Sequence, residues 1–189
     1  MEEFALPERR DREPRGCLPT FAIGLLMFAI VGAGVAASDA LSERPAVPVV
    51  IGAGVSIRPP LSWSFVSRFE APTGEEDSVL LTRGVGSLLA YTSDASVEAE
   101  LDELRRQLST SSLVSLGQTE AVDVHPGRNG WRFAFSGALP ELAAVPVEGE
   151  VVAIVGSSVV LVSVSWSDVG SYELIRPEID QMLAGATIP

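Results

Sequence analysis

The chain has 189 residues and a formal net charge of −12, and it carries thirteen arginines and no lysine. An acidic chain is a poor ligand for nucleic acid, whose phosphates are bound by Lys and Arg. With one cysteine and one histidine in the whole sequence, neither an internal disulfide nor a thiolate or imidazole zinc cage can be assembled.

Residues 1–17, MEEFALPERRDREPRGC, hold four arginines against five acids and are interrupted by proline, a composition that predicts a disordered tail. Leu18–Ala37, LPTFAIGLLMFAIVGAGVAA, contains no charged residue. As a helix it would be about 30 Å long, the thickness of a bilayer's hydrocarbon core, with its backbone hydrogen bonds satisfied internally. The stretch is therefore read as a single transmembrane helix. Arg9, Arg10, Arg12 and Arg15 precede it and only Arg44 follows closely, which predicts a cytoplasmic N-terminus and a C-terminal domain outside the cell membrane. The alternative is a cleaved signal peptide and a secreted domain, with small residues near Val35–Ala37 or Ser38–Ala40; a signal's apolar core is usually shorter than this one. Cys17 precedes the apolar stretch, whereas a lipoprotein's acylated cysteine follows it, so Cys17 is taken as a small residue at a helix start. Ala29, Ala33 and Ala37 recur at four-residue spacing, a pattern that can pair helices and that also arises by chance in an Ala/Gly-rich span.

Residues 38–53, with Pro45 and Pro48, read as an extended linker, and residues 54–189 as one extracytoplasmic α+β domain large enough for a core of its own. Gly52-x-Gly54 after an apolar run imitates a dinucleotide-binding turn. Position 57 is Ile rather than the third glycine, and Pro59-Pro60 prevents the helix that would receive a pyrophosphate. Alternation predicts strands at Ser64–Glu70, Ser78–Gly84 and Ser87–Tyr91. A helix is expected over Val97–Ser109, capped by Asp94 or Ser96, buried along Val97, Leu101, Leu104 and Leu108, with Asp102 placed to pair with Arg106. A strand near Gly117–Val124 leads into the turn His125-Pro-Gly-Arg-Asn-Gly130. In the return strand Trp131, Phe133 and Phe135 alternate with Arg132, Ala134 and Ser136. After a loop at Gly137–Val147, Gly149–Val155 and Val159–Ser167 form a hairpin. A last helix covers Gly170–Ala184 through Leu174, Ile175, Ile179, Met182 and Leu183, with Pro177 kinking it or marking its start.

Several features of this order carry a resemblance. They are the opening Gly54-Val-Ser-Ile-Arg-Pro-Pro-x-x-Trp63, a helix after two or three strands, an antiparallel run with Gly130-Trp-Arg-Phe in its middle, and a closing amphipathic helix ending Ala-Gly-Ala-Thr-Ile. Residues 54–189 resemble the PsbP-like α/β fold of photosystem II extrinsic proteins, a Ran-binding nuclear import factor and small envelope proteins of the LpqN type. The resemblance implies an antiparallel sheet flanked by helices as an α/β/α sandwich, and partner binding more often than catalysis. It brings no catalytic motif and no site residues.

His125 in a Pro-Gly turn is a poor candidate for a triad, which needs the imidazole fixed beside a nucleophile. Glu75, Glu76 and Asp77 suit a hard cation in type but match no calcium-loop spacing, so they read as an acidic loop tip. No cofactor or metal is expected. The candidate interaction surface comprises Arg58, Pro59, Pro60 and Trp63, and the apolar loop residues Leu139, Leu142 and Val145. The expected function is a membrane-anchored binding domain without a catalytic site, its partner an envelope or membrane protein. Two alternatives stand beside it: a carrier or sensor of a lipid or other apolar molecule, lined by Trp131, Phe133 and Trp166, and an envelope enzyme working through carboxylates alone.

Overall fold

The structure, a computed structural model, describes residues 47–70, 77–111, 113–139, 143 and 145–189. The expected tail, the expected span, most of the linker, Glu75, Glu76 and Leu142 lie outside the described residues. No helix among the described residues is long and apolar enough to cross a membrane.

The chain enters through a small antiparallel hairpin, β1 (Val49–Gly52) and β2 (Val55–Ile57). The first of these strands occupies residues expected to be linker. What holds it is burial: Ile51, Val55 and Ile57 are fully enclosed. Gly52-x-Gly54 is the tight turn of this hairpin, with Ala53 and Gly54 both at positive φ.

Among the described residues eight further strands form one antiparallel sheet. They are β3 (Ser64–Glu70), β4 (Asp77–Arg83), β5 (Gly86–Ser93), β6 (Val114–Leu116), β7 (Glu120–Val122), β8 (Gly130–Gly137), β9 (Val147–Val155) and β10 (Val160–Asp168). The order across the sheet is β3-β4-β5-β10-β9-β8, with β6 and β7 sharing the outer edge of β8. The single strand expected at Gly117–Val124 is thus two short ones. They are separated at Gly117, whose amide still donates to the Ala134 carbonyl at 2.8 Å.

Two helices cover the sheet, α1 (Val97–Leu108) on one face and α2 (Tyr172–Ala184) on the other. Ser96 caps α1, its Oγ accepting from the Ala99 amide at 3.3 Å, and Val97, Leu101, Leu104 and Leu108 are buried as their spacing requires. On the polar side Arg106 pairs with Glu103 three residues before it, at 2.5 Å, rather than with Asp102. Arg105 lies 4.9 Å from the Phe133 ring centroid and donates to the Gly117 carbonyl at 2.9 Å, tying α1 to the β6–β7 connection. In α2 the buried residues are Tyr172, Ile175, Ile179, Met182 and Leu183. Leu174 is 75% exposed, because a helix starting at Tyr172 turns position 174 away from the sheet. Pro177 lies inside α2, which continues past it; the missing N–H leaves only the Glu173 carbonyl without its helical donor.

Both faces of the sheet are filled. Leu80, Leu89, Phe133, Phe135, Val151, Val162, Val164 and Trp166 pack with α1, while Val79, Leu81, Leu88, Val152, Ile154 and Leu161 pack with α2 and the hairpin. The C-terminal segment closes the second layer. Ser56 and Thr187 exchange backbone hydrogen bonds, and Ser157 N donates to the Pro189 carbonyl at 2.8 Å. His125, half-buried in its turn, belongs to this closure, its Nε2 lying 2.9 Å from the Ala186 carbonyl oxygen.

Gly149 in β9 tests how tightly the sheet is drawn together. A Cβ there would overlap the Ser165 carbonyl oxygen and crowd the Phe135 ring. Gly149→Ala is therefore expected to cost about 1–3 kcal/mol by overpacking. Urea unfolding should show a lower midpoint at unchanged slope; a midpoint equal to wild type would show that β9 and β10 have room to separate.

Candidate functional site

The strand positions facing α2 change character along the sheet. In β4 and β5 they are apolar except Arg83 and Thr92 toward the strand ends, whereas in β8, β9 and β10 they include Arg132, Glu150, Ser163, Ser165 and Ser167, all buried. Register accounts for the meeting of the two charges. Arg132 is paired with Val152 and Ala134 with Glu150, so Arg132 and Glu150 are diagonal neighbours on one face of adjacent strands.

Four further groups complete a charged cluster beneath α2. Arg132 Nη2 donates to Asp180 Oδ1 at 2.7 Å, and Arg132 Nε lies 3.5 Å from Glu150 Oε2 with no hydrogen-bond partner of its own. Arg176 Nη2 is 3.1 Å from Glu150 Oε1, and Arg176 Nη1 is 3.4 Å from Glu173 Oε1. Tyr172 Oη and Ser165 Oγ share a 2.6 Å hydrogen bond. Glu148 Oε1 accepts from the amides of Gly170 at 2.7 Å and Tyr172 at 3.0 Å, satisfying the start of α2, where Ser171 makes no side-chain cap.

Burial shapes the titration of this cluster. It raises the Glu150 carboxyl above its ordinary value, an effect that Arg132 and Arg176 oppose. Burial also raises the Tyr172 phenol far above its usual range, so the ring oxygen stays protonated and is no nucleophile.

Beside the cluster lies an open groove of about 260 Å³. Its floor is the part of the sheet face that α2 leaves bare, with Ser115, Ala134 and Ser136 exposed. Glu148, Glu150, Tyr172 and Glu173 form its wall. The groove is thus small-residue floored and acidic along one side. Its inner charges are committed to α2, and Glu173, with its side chain 79% exposed, stands at the mouth.

The residues singled out in sequence lie elsewhere. Trp63 is only 6% exposed and donates from Nε1 to Glu178 Oε2 at 2.6 Å, while Glu178 also pairs with Arg83 at 2.5 Å. Trp63 therefore anchors the β2–β3 connection to α2, and Pro59 is buried; neither forms an exposed surface. Arg58 is exposed and Pro60 half-buried. Leu139 is buried, and Val145 is 48% exposed. The groove was missed because Arg132 and Glu150 stand in strands otherwise suited to a core. Opposite charges at inward positions of consecutive strands are the one signal that pointed to it.

Removing one member of a buried ion pair strands the other. Arg132→Met is expected to cost about 3 kcal/mol, and Arg132→Met with Glu150→Leu clearly less, as measured by chemical denaturation. A double variant as unstable as the sum of the singles would mean that the two charges do not interact. For Glu150 the sign follows from its raised pKa: the folded state holds the proton more tightly than the unfolded chain. Its contribution is therefore most favourable below the ordinary carboxylate range and declines as pH rises through the Glu150 titration. Glu150→Gln should remove that decline from a plot of unfolding free energy against pH; an unchanged plot would place the pH dependence on other groups.

No protein-family model and no curated protein sequence matches the chain. Solved structures do. Cyanobacterial PsbP (CyanoP) from Synechocystis superposes with a TM-score of 0.50 at 9% identity, over 81% of this chain and 99% of that one. LpqN of Mycobacterium tuberculosis, described as involved in cell envelope biogenesis, gives 0.48 at 13% identity over 77% of this chain and 87% of its own. A Bacteroides thetaiotaomicron protein gives 0.47 at 13% identity over 75% of this chain; the chain spans 47% of that longer protein. The all-antiparallel sheet between two helices, together with the superposition on cyanobacterial PsbP, makes this a PsbP-like α+β fold.

Proposed function

We propose that the protein is a single-pass, membrane-anchored binding domain, with Leu18–Ala37 as the anchor, residues 1–17 in the cytoplasm and the PsbP-like domain outside. Its contact surface is the groove between β8, β9 and α2, and its partner is an envelope or membrane protein that offers basic or hydrogen-bonding groups to the acidic wall. One observation carries this: the buried carboxylates and the phenol that line the groove are already engaged. Glu150 faces Arg132 and Arg176, Glu148 holds the start of α2, and Tyr172 is protonated and bonded to Ser165. His125 is bonded into the C-terminal segment, at the far end of the sheet. A wall of fixed charge over a floor of small side chains serves recognition better than turnover.

The carrier alternative calls for space between the sheet and its helices. Phe133 and Trp166 fill that space with α1, at 1% and 3% exposure, so the observations favour the groove. The PsbP-like resemblance, which implies partner binding more often than catalysis, supports the same reading.

The test is crosslinking of the full chain in its own membranes, read by mass spectrometry. A reproducible envelope-protein partner is expected, and it should be lost in Ala134→Arg, which fills the exposed groove floor without touching the core. Capture unchanged by Ala134→Arg would move the binding surface elsewhere. A hydrolase or transferase activity abolished by one groove substitution would replace the binding reading with an enzymatic one.

A further inference from the structure

The exposed apolar side chains are distributed unevenly between the two ends of the sheet. Strand pairing puts the start of β3, the β4–β5 turn, the start of β6, the end of β8, the start of β9 and the end of β10 at one end. Six large side chains are exposed there, Leu61, Val85, Leu113, Val145 and Val169 on the connections and Leu174 in the first turn of α2, between 48% and 75%. Two contacts draw them inward from separate elements: Val169 N donates to the Pro146 carbonyl at 3.3 Å, and Gly86 packs against Ile175 of α2. The opposite end exposes Asp94, Ser96, Asp123, Asn129, Ser157 and Ser158, and the large hydrophobic residue exposed near it among the described residues is Val50 of β1. Scattered apolar residues on a surface are ordinary; their collection on one end is not.

The path of the chain says what this end faces. The β1–β2 turn lies at the polar end, where Gly54 approaches Pro189 and Pro189 is bonded to Ser157 in the β9–β10 turn. Thus β1 runs away from the apolar end, and Val47, 59% exposed, points back toward it. Nine residues, 38–46, separate Val47 from Ala37. They reach at most about 30 Å when fully extended.

We propose that this apolar end is turned to the bilayer and rests in its interfacial layer, docking the domain on the membrane that holds its anchor. The inference rests on Leu18–Ala37 being that anchor. An acidic domain gains nothing from anionic headgroups, so the contact is apolar insertion, insensitive to salt. The polar end, with His125 and the C-terminal closure, then points away from the membrane, and the groove, lined by the β6 start, the β8 end and the β9 start, lies beside the membrane-facing end.

The full chain carrying Cys17→Ser supplies a background free of other cysteines. Single substitutions Val85→Cys and Leu174→Cys at the apolar end, and Ser157→Cys at the polar end, replace exposed residues and leave the core untouched. Each is labelled with a polarity-sensitive fluorophore and reconstituted into phosphatidylcholine vesicles containing a spin-labelled lipid as quencher. Labels at positions 85 and 174 should shift to the blue and be quenched several-fold more than the label at 157, equally at low and high salt. A chain that does not float with the vesicles overturns the anchor and the docking together. A chain that floats but shows equal quenching at both ends overturns the docking alone. Labels at 85 and 174 that are shielded without lipid quenching, in a chain that crosslinks to itself, overturn it in favour of a second copy.

Discussion

The domain depends on its central strand, which has no free side. β10 is hydrogen-bonded along both edges, to β5 and β9, and lies beneath a helix on each face. Such a strand must be different on its two faces in alternate residues, and its sequence is: Val160, Val162, Val164 and Trp166 toward α1, then Leu161, Ser163, Ser165 and Ser167 toward α2. The serines are enclosed, and their hydroxyls bond to strand carbonyls and to Tyr172. Their small volume lets α2 settle close to the sheet, and the Ser165 hydroxyl meets Tyr172 at the start of that helix. Burying hydroxyls without partners would cost free energy; with partners they fix where the helix sits.

From that constraint the charged cluster follows. A helix set over serines cannot be held by apolar packing alone at its β8–β9 side, and there Arg132, Glu150, Arg176 and Asp180 take over. Buried ion pairs contribute little net stability compared with apolar packing, but they are intolerant of partial loss, which makes them positional devices. α2 is fixed in rotation by charge and at its start by Glu148, and the part of the sheet it leaves bare becomes the groove. The site is a by-product of how the second layer is held.

Much of the fold was legible in the chain because local and long-range demands agree there. Ser96 before the Val97–Leu108 stripe, the aromatics alternating from Trp131, and the valine-rich hairpin around Gly156 each state their structure within a dozen residues. Where the sequence misled, the deciding contact was distant. Pro48 and two glycines resemble a linker until Ile51 is seen enclosed by the sheet. Trp63 after Pro59-Pro60 resembles a displayed aromatic until Glu178 is brought to its indole N–H. Leu174 lies within the apolar run of α2, yet its facing depends on the start at Tyr172. Arg132 and Glu150 acquire meaning only through the β8–β9 register, which no local pattern prints.

The backbone exchange between Ser56 and Thr187 joins residues separated by most of the domain. The outer edge of β2 therefore stays open until the last residues of the chain arrive, although β1 on its other edge and the β4–β5 face beneath it already hold the hairpin. A chain emerging progressively, from a ribosome or through an export channel, would seat its first hairpin early and seal that edge last.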